Sequence, residues 1–171
     1  GAQSVIVDIF DAEAVAKAVA AARPDVVIHQ LTDLPAAPGT PGYADGQKRN
    51  NRLRREGTAN LMAAAKAAGT TRVIAQSIAF AYAPGDGPRH EDDPLDHGAE
   101  GARAFTVAGV AALESAVLGT PPLAGTVLRY GYFYGPRTWY EAAPKSPSIH
   151  IDAAAHATLL ALERDKAGIY N

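Results

Sequence analysis

Side chains able to do chemistry fall in a few places along this chain. Ser77 closes the apolar run Arg72-Val73-Ile74-Ala75-Gln76, and Tyr82 lies shortly after it. Tyr132 and Tyr134 follow a second such run that ends at Tyr130. A lone tyrosine without an adjacent cation keeps its proton at neutral pH, so it can donate a hydrogen bond but is a poor acid. The densest basic stretch is Lys48-Arg49-Asn50-Asn51-Arg52-Leu53-Arg54-Arg55. It reads either as an anion site or as a solvated helix turn partly offset by Glu56. The solvated reading is favoured, because Arg52 and Arg55 share a face and Arg54 points elsewhere. His150, Asp152 and His156 invite a metal reading, but Asp152 and His156 can pair on one helix and no third strong ligand is near, so no metal site is expected. His90-Glu91-Asp92-Asp93 reads as a solvated acidic loop.

These residues need elements to position them. Val26-Val27-Ile28-His29 and residues 72–77 are short apolar runs separated by a helical pattern over 57–68. That spacing predicts two parallel strands joined by a crossover helix. Ligands of such sheets bind beyond the carboxyl ends of the strands, which puts 77–82 in the reactive zone. Residues 4–9 read as an earlier strand ending at Asp8, and Asp11 as the cap of a helix carrying Val15, Ala16, Val19 and Ala20. Pro24 ends that helix. Residues 31–48, with Pro35, Pro38, Gly39, Pro41 and Gly42, read as a loop. The next helix carries Leu53, Gly57, Leu61, Ala64 and Ala68 on one stripe, with Gly69 as its C-terminal cap. A polar loop over 84–101, a helix over 104–118, a strand over 125–130 and a last helix capped by Asp152 complete the pattern. The fold class is α/β, a doubly wound parallel sheet in one domain spanning 1–171.

Composition narrows the function classes. The 171 residues carry 16 Lys and Arg against 18 Asp and Glu, so no global field favours nucleic acid or an anionic membrane. The chain has no cysteine, which excludes disulfides and thiolate metal sites and fits a cytoplasmic setting. No uninterrupted apolar stretch approaches about 18 residues, so no membrane span is expected. No glycine-rich loop lies between a first strand and a first helix. Gly85-Asp86-Gly87-Pro88 is a turn, since proline and no helix follows.

Taken in order, Val7-Asp8 with Asp11, Pro24-Asp25-Val26-Val27-Ile28-His29, Gly57-Thr58-Ala59-Asn60-Leu61, Ser77 with Tyr82, Leu128-Arg129 with Tyr134-Gly135-Pro136, and His150-Ile151-Asp152 form a recognisable series. The chain resembles the extended short-chain dehydrogenases/reductases, the NAD-dependent epimerase/dehydratase family, over nearly its whole length. The resemblance implies a Rossmann-like sheet of strand order 3-2-1-4-5-6 that, here, starts at the third strand. The first two strands are then absent from the space between 4–8 and 26–29, and the chain looks like a fragment or a shortened relative. Either 5–8 pairs directly with Val26–His29 through one right-handed crossover, or two unsatisfied edges remain that invite association or local disorder.

The family also implies NAD or NADP as cofactor, with Asp8, Ile9, Leu31, Thr32, Ser77 and Tyr130 at cofactor-contacting positions. Asp8 has an equal reading as a turn residue, and Leu31 stands where the family has small residues. In the family a Ser or Thr orients the substrate carbonyl, a Tyr donates the proton, and a Lys four residues later lowers the Tyr pKa. Alignment on Glu114 puts Thr106 and Val110 at the Tyr and Lys positions, and alignment on Tyr82 puts Ile78 in the hydroxyl register with Ser77 one place early. The standard triad is therefore absent, leaving Ser77 and Tyr132 as substitute catalytic candidates. Two functions follow: an oxidoreductase acting on a sugar nucleotide or another small carbonyl or hydroxyl substrate, or a non-catalytic nucleotide-binding relative. A homodimer through the helices at 52–68 and 104–118 is the implied assembly.

Overall fold

The computed structural model describes residues 1–33, 39–164 and 166–171. Asp11 starts α1 (Ala12–Ala22) as expected, its carboxylate accepting the Ala14 N–H at 3.0 Å. Arg23 takes a left-handed turn at φ 47° and Pro24 blocks any continuation. The chain then enters β1 (Val26–His29). A continuous helical run follows, made of α2 (Tyr43–Arg52), one wider π-type turn over Leu53–Gly57, and α3 (Thr58–Ala67). Gly69, at φ +77°, closes it while the Thr70 N–H reaches back to the Ala65 carbonyl at 3.0 Å, the Schellman arrangement.

Next come β2 (Arg72–Ile78), α4 (Gly101–Leu118), β3 (Ala124–Tyr130), β4 (Tyr132–Tyr134), β5 (Ser148–His150), α5 (Ile151–Arg164) and β6 (Gly168–Tyr170). The main sheet runs β1-β2-β3-β6 with every pairing parallel, and β4 pairs with β5 in a small second sheet. Side chains alternate between the two faces of the sheet. Val73, Ala75 and Val127 pack with Met62, Ala65, Leu113 and Val117 of α3 and α4, while Ile74, Leu128 and Tyr130 pack with Ala154 of α5. Helices on both faces of a parallel sheet make the architecture Rossmann-like, as expected. Among the described residues α4 alone is long and apolar enough to cross a membrane by length and composition, and it spends Val107, Val110, Leu113 and Val117 on the core.

Three expectations are corrected. Residues 4–9 form no strand: 1–8 lie outside every ladder, Ile6 is 99% exposed, and β1 pairs with β2 alone, so the direct pairing does not occur. An apolar groove of about 390 Å³, lined by Val7, Ile9, Val15, Val27, Ile28 and Leu31 among others, occupies the position where a ladder would have formed. The loop expected over 31–48 already turns helical at Tyr43, because Asn50 and Asn51 have buried sites to fill and the polar composition masks that face; Pro35 and Pro38 lie outside the described residues. Asp152 sits inside the first turn of α5 rather than capping it, and the His150 ring accepts its N–H at 3.2 Å through Nδ1.

One close approach sets the spacing of α4 over the sheet. A methyl group at Gly125, in β3, would press into the Val117 carbonyl oxygen of α4. Gly125→Ala is expected to lower the thermal unfolding midpoint by several degrees, equivalent to about 1–3 kcal/mol of overpacking. An unchanged midpoint would show that α4 can lift off β3 without loss.

Candidate functional site

The carboxyl ends of β1, β2 and β3 converge on a buried polar cluster, the position where open parallel sheets bind ligands. Glu114, projecting from α4, is its centre. Its Oε1 accepts Arg129 Nε at 2.9 Å and Ser77 Oγ at 2.7 Å, and its Oε2 accepts Arg129 Nη2 at 2.6 Å. All three residues are buried. Burial works against the Arg129 charge, yet its contacts with Glu114 and Tyr82 outweigh burial and push its pKa above the ordinary arginine value. The same guanidinium lies 4.7 Å from the Tyr82 ring centroid and donates to the Glu91 carbonyl at 3.3 Å. Loop 84–100 is thereby tied to β3.

Beside this pair lies a cavity of about 20 Å³, room for one water, lined in part by Leu31, Thr32, Asn50, Arg54, Ser77 and Ile78. Asn50 is 1% exposed; its Oδ1 accepts the Asp33 N–H at 3.0 Å and the Thr32 hydroxyl at 3.3 Å. Among the described residues, three buried polar atoms have no hydrogen-bond partner: Asn50 Nδ2, Asn51 Oδ1 and Arg54 Nη1. Gly109 lets these side chains in, since a Cβ there would stand 2.7 Å from Asn51 Oδ1 and 3.5 Å from Arg54 Cδ. Burial lowers the Arg54 pKa, opposed by Tyr43 and Glu114. The basic run is therefore not a uniformly solvated face. Arg52 pairs outward with Glu56 at 2.8 Å and Arg49 with Asp33 at 2.9 Å, but Arg54 is 9% exposed and turned inward. The signal was present as the inward spacing of Asn50, Asn51, Arg54, Thr58, Met62 and Ala65, one step round the helix from the stripe read in the sequence.

His29 closes the cluster from β1. Its Nδ1 accepts the Leu31 N–H at 3.3 Å, which leaves Nε2 to donate to Thr58 Oγ1 at 2.9 Å. Burial, reinforced by the Arg54 charge, lowers its pKa to about 4, so the ring is neutral at physiological pH.

The expected site residues divide into groups. Leu31, Thr32 and Ser77 meet at the cavity, although the Ser77 hydroxyl is committed to Glu114. Asp8 is exposed and accepts the Phe10 N–H at 2.9 Å, the geometry of its turn reading, while the Ile9 carbonyl accepts Asn60 Nδ2 at 3.0 Å. Tyr130 points to the opposite sheet face, where its hydroxyl donates to the Ala154 carbonyl at 2.9 Å. The Tyr132 ring stacks 4.3 Å from Phe80 and 5.5 Å from Tyr140, and burial, with Tyr43 and Tyr140 nearby, raises its pKa. Thr106 turns its hydroxyl back to the Ala102 carbonyl at 3.4 Å. Val110 is buried with Ala81 and Val107, and Ile78 packs against them. Ile78 and Val110 are the positions that the resemblance aligns with the family's hydroxyl residue and lysine, and both make apolar contacts. Among the described residues no group of three or more His, Asp or Glu side chains could hold a metal.

A parallel sheet wound on both faces, with buried polar donors at its carboxyl edge, defines a dinucleotide-binding α/β fold. Residues 1–146 match the NAD(P)H-binding family, and the chain belongs to it. A 3-diazoavenalumate denitrifying reductase of Streptomyces sp is 44% identical over 185 aligned positions, covering 96% of this chain and 60% of the relative. The chain thus spans less than two thirds of that relative's length. The NAD+ complex of WbmH from Bordetella bronchiseptica superposes with a TM-score of 0.77 at 19% identity, over 98% of this chain and 58% of the other. The UDP-glucose 4-epimerase of Thermus thermophilus, solved with NAD, gives 0.73 at 22% identity, over 96% and 61%. These two show the shared fold. The residues present fit a nicotinamide dinucleotide in part: Asn50 Nδ2 and Arg54 Nη1 are free donors for an acceptor-rich ligand, whereas a glycine-rich phosphate loop is not among the described elements.

Neutral burial of His29 has a pH signature. Between about pH 6.5 and 4 the unfolded chain takes up a proton that the folded ring resists, so stability falls as pH drops through that window, by up to about 3 kcal/mol. His29→Asn is expected to flatten this part of the stability curve in urea unfolding. A wild-type curve with the same slope as the variant would contradict neutral burial.

Proposed function

We propose that this chain is part of an NAD(P)H-dependent reductase whose substrate accepts hydride without needing a proton from the protein, a planar diazo compound that loses nitrogen. The observation carrying this reading is the packing of Ile78 against the cluster of Ala81, Val107 and Val110, together with the back-bonded Thr106, at the positions that the resemblance aligns with a carbonyl reductase's hydroxyl, lysine and tyrosine. Carbonyl reduction needs a positioned acid at the oxygen. Replacing a diazonium group by hydrogen does not: one C–H bond forms, one C–N bond breaks, and its electron pair departs with dinitrogen. The name of the Streptomyces relative, a denitrifying reductase of a diazo acid anion, supports the same chemistry. A sugar-nucleotide carbonyl has no comparable support among the side chains present.

The reduced nicotinamide supplies the hydride when bound. This chain contributes shape and charge. Leu31 and Thr32 would border the cofactor, with the segment held by His29 and Asn50. Phe80, Tyr132 and Tyr140 offer aromatic faces suited to a flat substrate. The Tyr132 phenol, its pKa raised by burial, keeps its proton and acts as a hydrogen-bond donor or a wall. Arg129 and Glu114 lock β2, β3 and α4 so that the floor of the site does not move. The consumed Ser77 hydroxyl favours one second reading, a nucleotide-binding protein without catalysis.

The test is transfer of deuterium from reduced nicotinamide, deuterated at its hydride position, to an aryl diazonium substrate by the intact protein that contains this chain. Nitrogen release with deuterium at the carbon that carried it supports the reductase reading, and retained cofactor binding without turnover supports the second. Tyr132→Phe is expected to change kcat by less than about threefold, whereas loss of a true general acid costs about a hundredfold or more. A homodimer through the faces of α3 and α4 belongs to the proposal, supported by Phe105, which is 70% exposed on α4. Phe105→Glu is then expected to shift the mass in light scattering from dimer to monomer; an unchanged mass would remove this face from the interface.

A further inference from the structure

Going beyond that reading, the geometry points to Arg54 and Asn50 as an oxyanion-binding site, one that takes a carboxylate or phosphate oxygen at the small cavity. The reasoning is a count of buried charge. Arg54 and Arg129 are both buried and cationic, and among the described residues Glu114 is the one buried carboxylate facing them. Both Glu114 oxygens are occupied, Oε1 by Arg129 Nε and Ser77 and Oε2 by Arg129 Nη2. Asp33, the carboxylate nearest along the chain after β1, is taken by Arg49 at 2.9 Å and 3.4 Å. His29 is neutral and adds no anion. Among the described residues one positive charge is left without a counter-ion, in a place where an uncompensated charge is expensive.

The hydrogen-bond inventory agrees. Arg54 Nη1 and Asn50 Nδ2 are both donors, both buried and both without partners among the described residues, and both residues line the cavity. Leu31 and Thr32 line the cavity and are themselves exposed. At about 20 Å³ it admits one oxygen atom and no larger group, so the remainder of the ligand stays on the Leu31 and Ile78 side. An oxygen carrying negative charge satisfies both donors and the unpaired charge together, whereas a water satisfies the donors alone. Arg54 reaches this part of the site from the π-type turn, its Cδ 3.5 Å from where a Cβ on Gly109 would stand.

Equilibrium titration and thermal shift with benzoate, inorganic phosphate and neutral benzamide test this on the wild type, Arg54→Gln and Arg54→Lys. The wild type is expected to bind one of the two anions and to discriminate against benzamide. Arg54→Gln should weaken that anion by roughly tenfold to a hundredfold, and Arg54→Lys by less. Without ligand, Arg54→Gln should unfold at or above the wild-type midpoint, since it removes an uncompensated buried charge, so weak binding is not mistaken for misfolding. Binding of benzoate that is additive with NAD(P)H assigns the oxygen to a substrate carboxylate, and phosphate binding that competes with NAD(P)H assigns it to the cofactor. Equal anion affinity in wild type and Arg54→Gln, or no anion binding to the wild type, would overturn the site. None of these readouts depends on hydride transfer, so failure of the diazo reaction leaves the outcome intact.

Discussion

The buried pair of Glu114 and Arg129 is the constraint on which the rest of the structure turns. It joins α4 to β3 with two charge-assisted hydrogen bonds of 2.9 Å and 2.6 Å, and Ser77 Oγ brings β2 into the same carboxylate at 2.7 Å. Three elements distant in sequence are thereby held at one height, at the carboxyl edge of the sheet. A buried ion pair contributes little net stability against an apolar replacement, but removing one partner strands the other charge at a cost of about 3–5 kcal/mol. The pair therefore acts on geometry more than on stability. It decides where the floor of the site lies and engages the Ser77 hydroxyl as a donor.

The use of polar residues at this edge follows from that commitment. Once Glu114 is saturated, it has no free oxygen for Arg54, and the site retains a positive charge with an open donor. The apolar cluster of Ala81, Val107 and Val110, with Ile78 packed against it, stands on the same edge. The carboxyl edge is thus polar, with open donors, on one side and apolar on the other.

Much of the architecture was legible from local pattern. Apolar runs at 26–29 and 72–77 with a helix between them gave the parallel pair, and Asp11 and Gly69 marked helix ends. The misread parts share a cause. Residues 4–9 have strand character, but a strand exists only when a neighbour offers its edge, and β1 does not reach them. Arg54 has the composition of a solvated turn, yet α4 supplies Gly109 and with it the space to bury the side chain. Tyr130 and Ser77 both lie at strand ends, but strand parity sends their hydroxyls to opposite faces.

The sequence by itself determined the family, the near-neutral charge and the succession of α1, β1, the helical run after it, β2, α4, β3 and α5. These depend on residue type and on spacing within a single element, which local sterics and periodicity control. Tertiary structure alone decided which polar groups are buried, which are paired and which are left over. Glu114 meets Ser77 across 37 residues and Arg129 across 15, and His29 meets Thr58 across 29. Whether Arg54 is a surface charge or an unpaired buried cation depends on partners from α4 and β2 that its own helix does not encode, and that outcome sets the chemistry of the site.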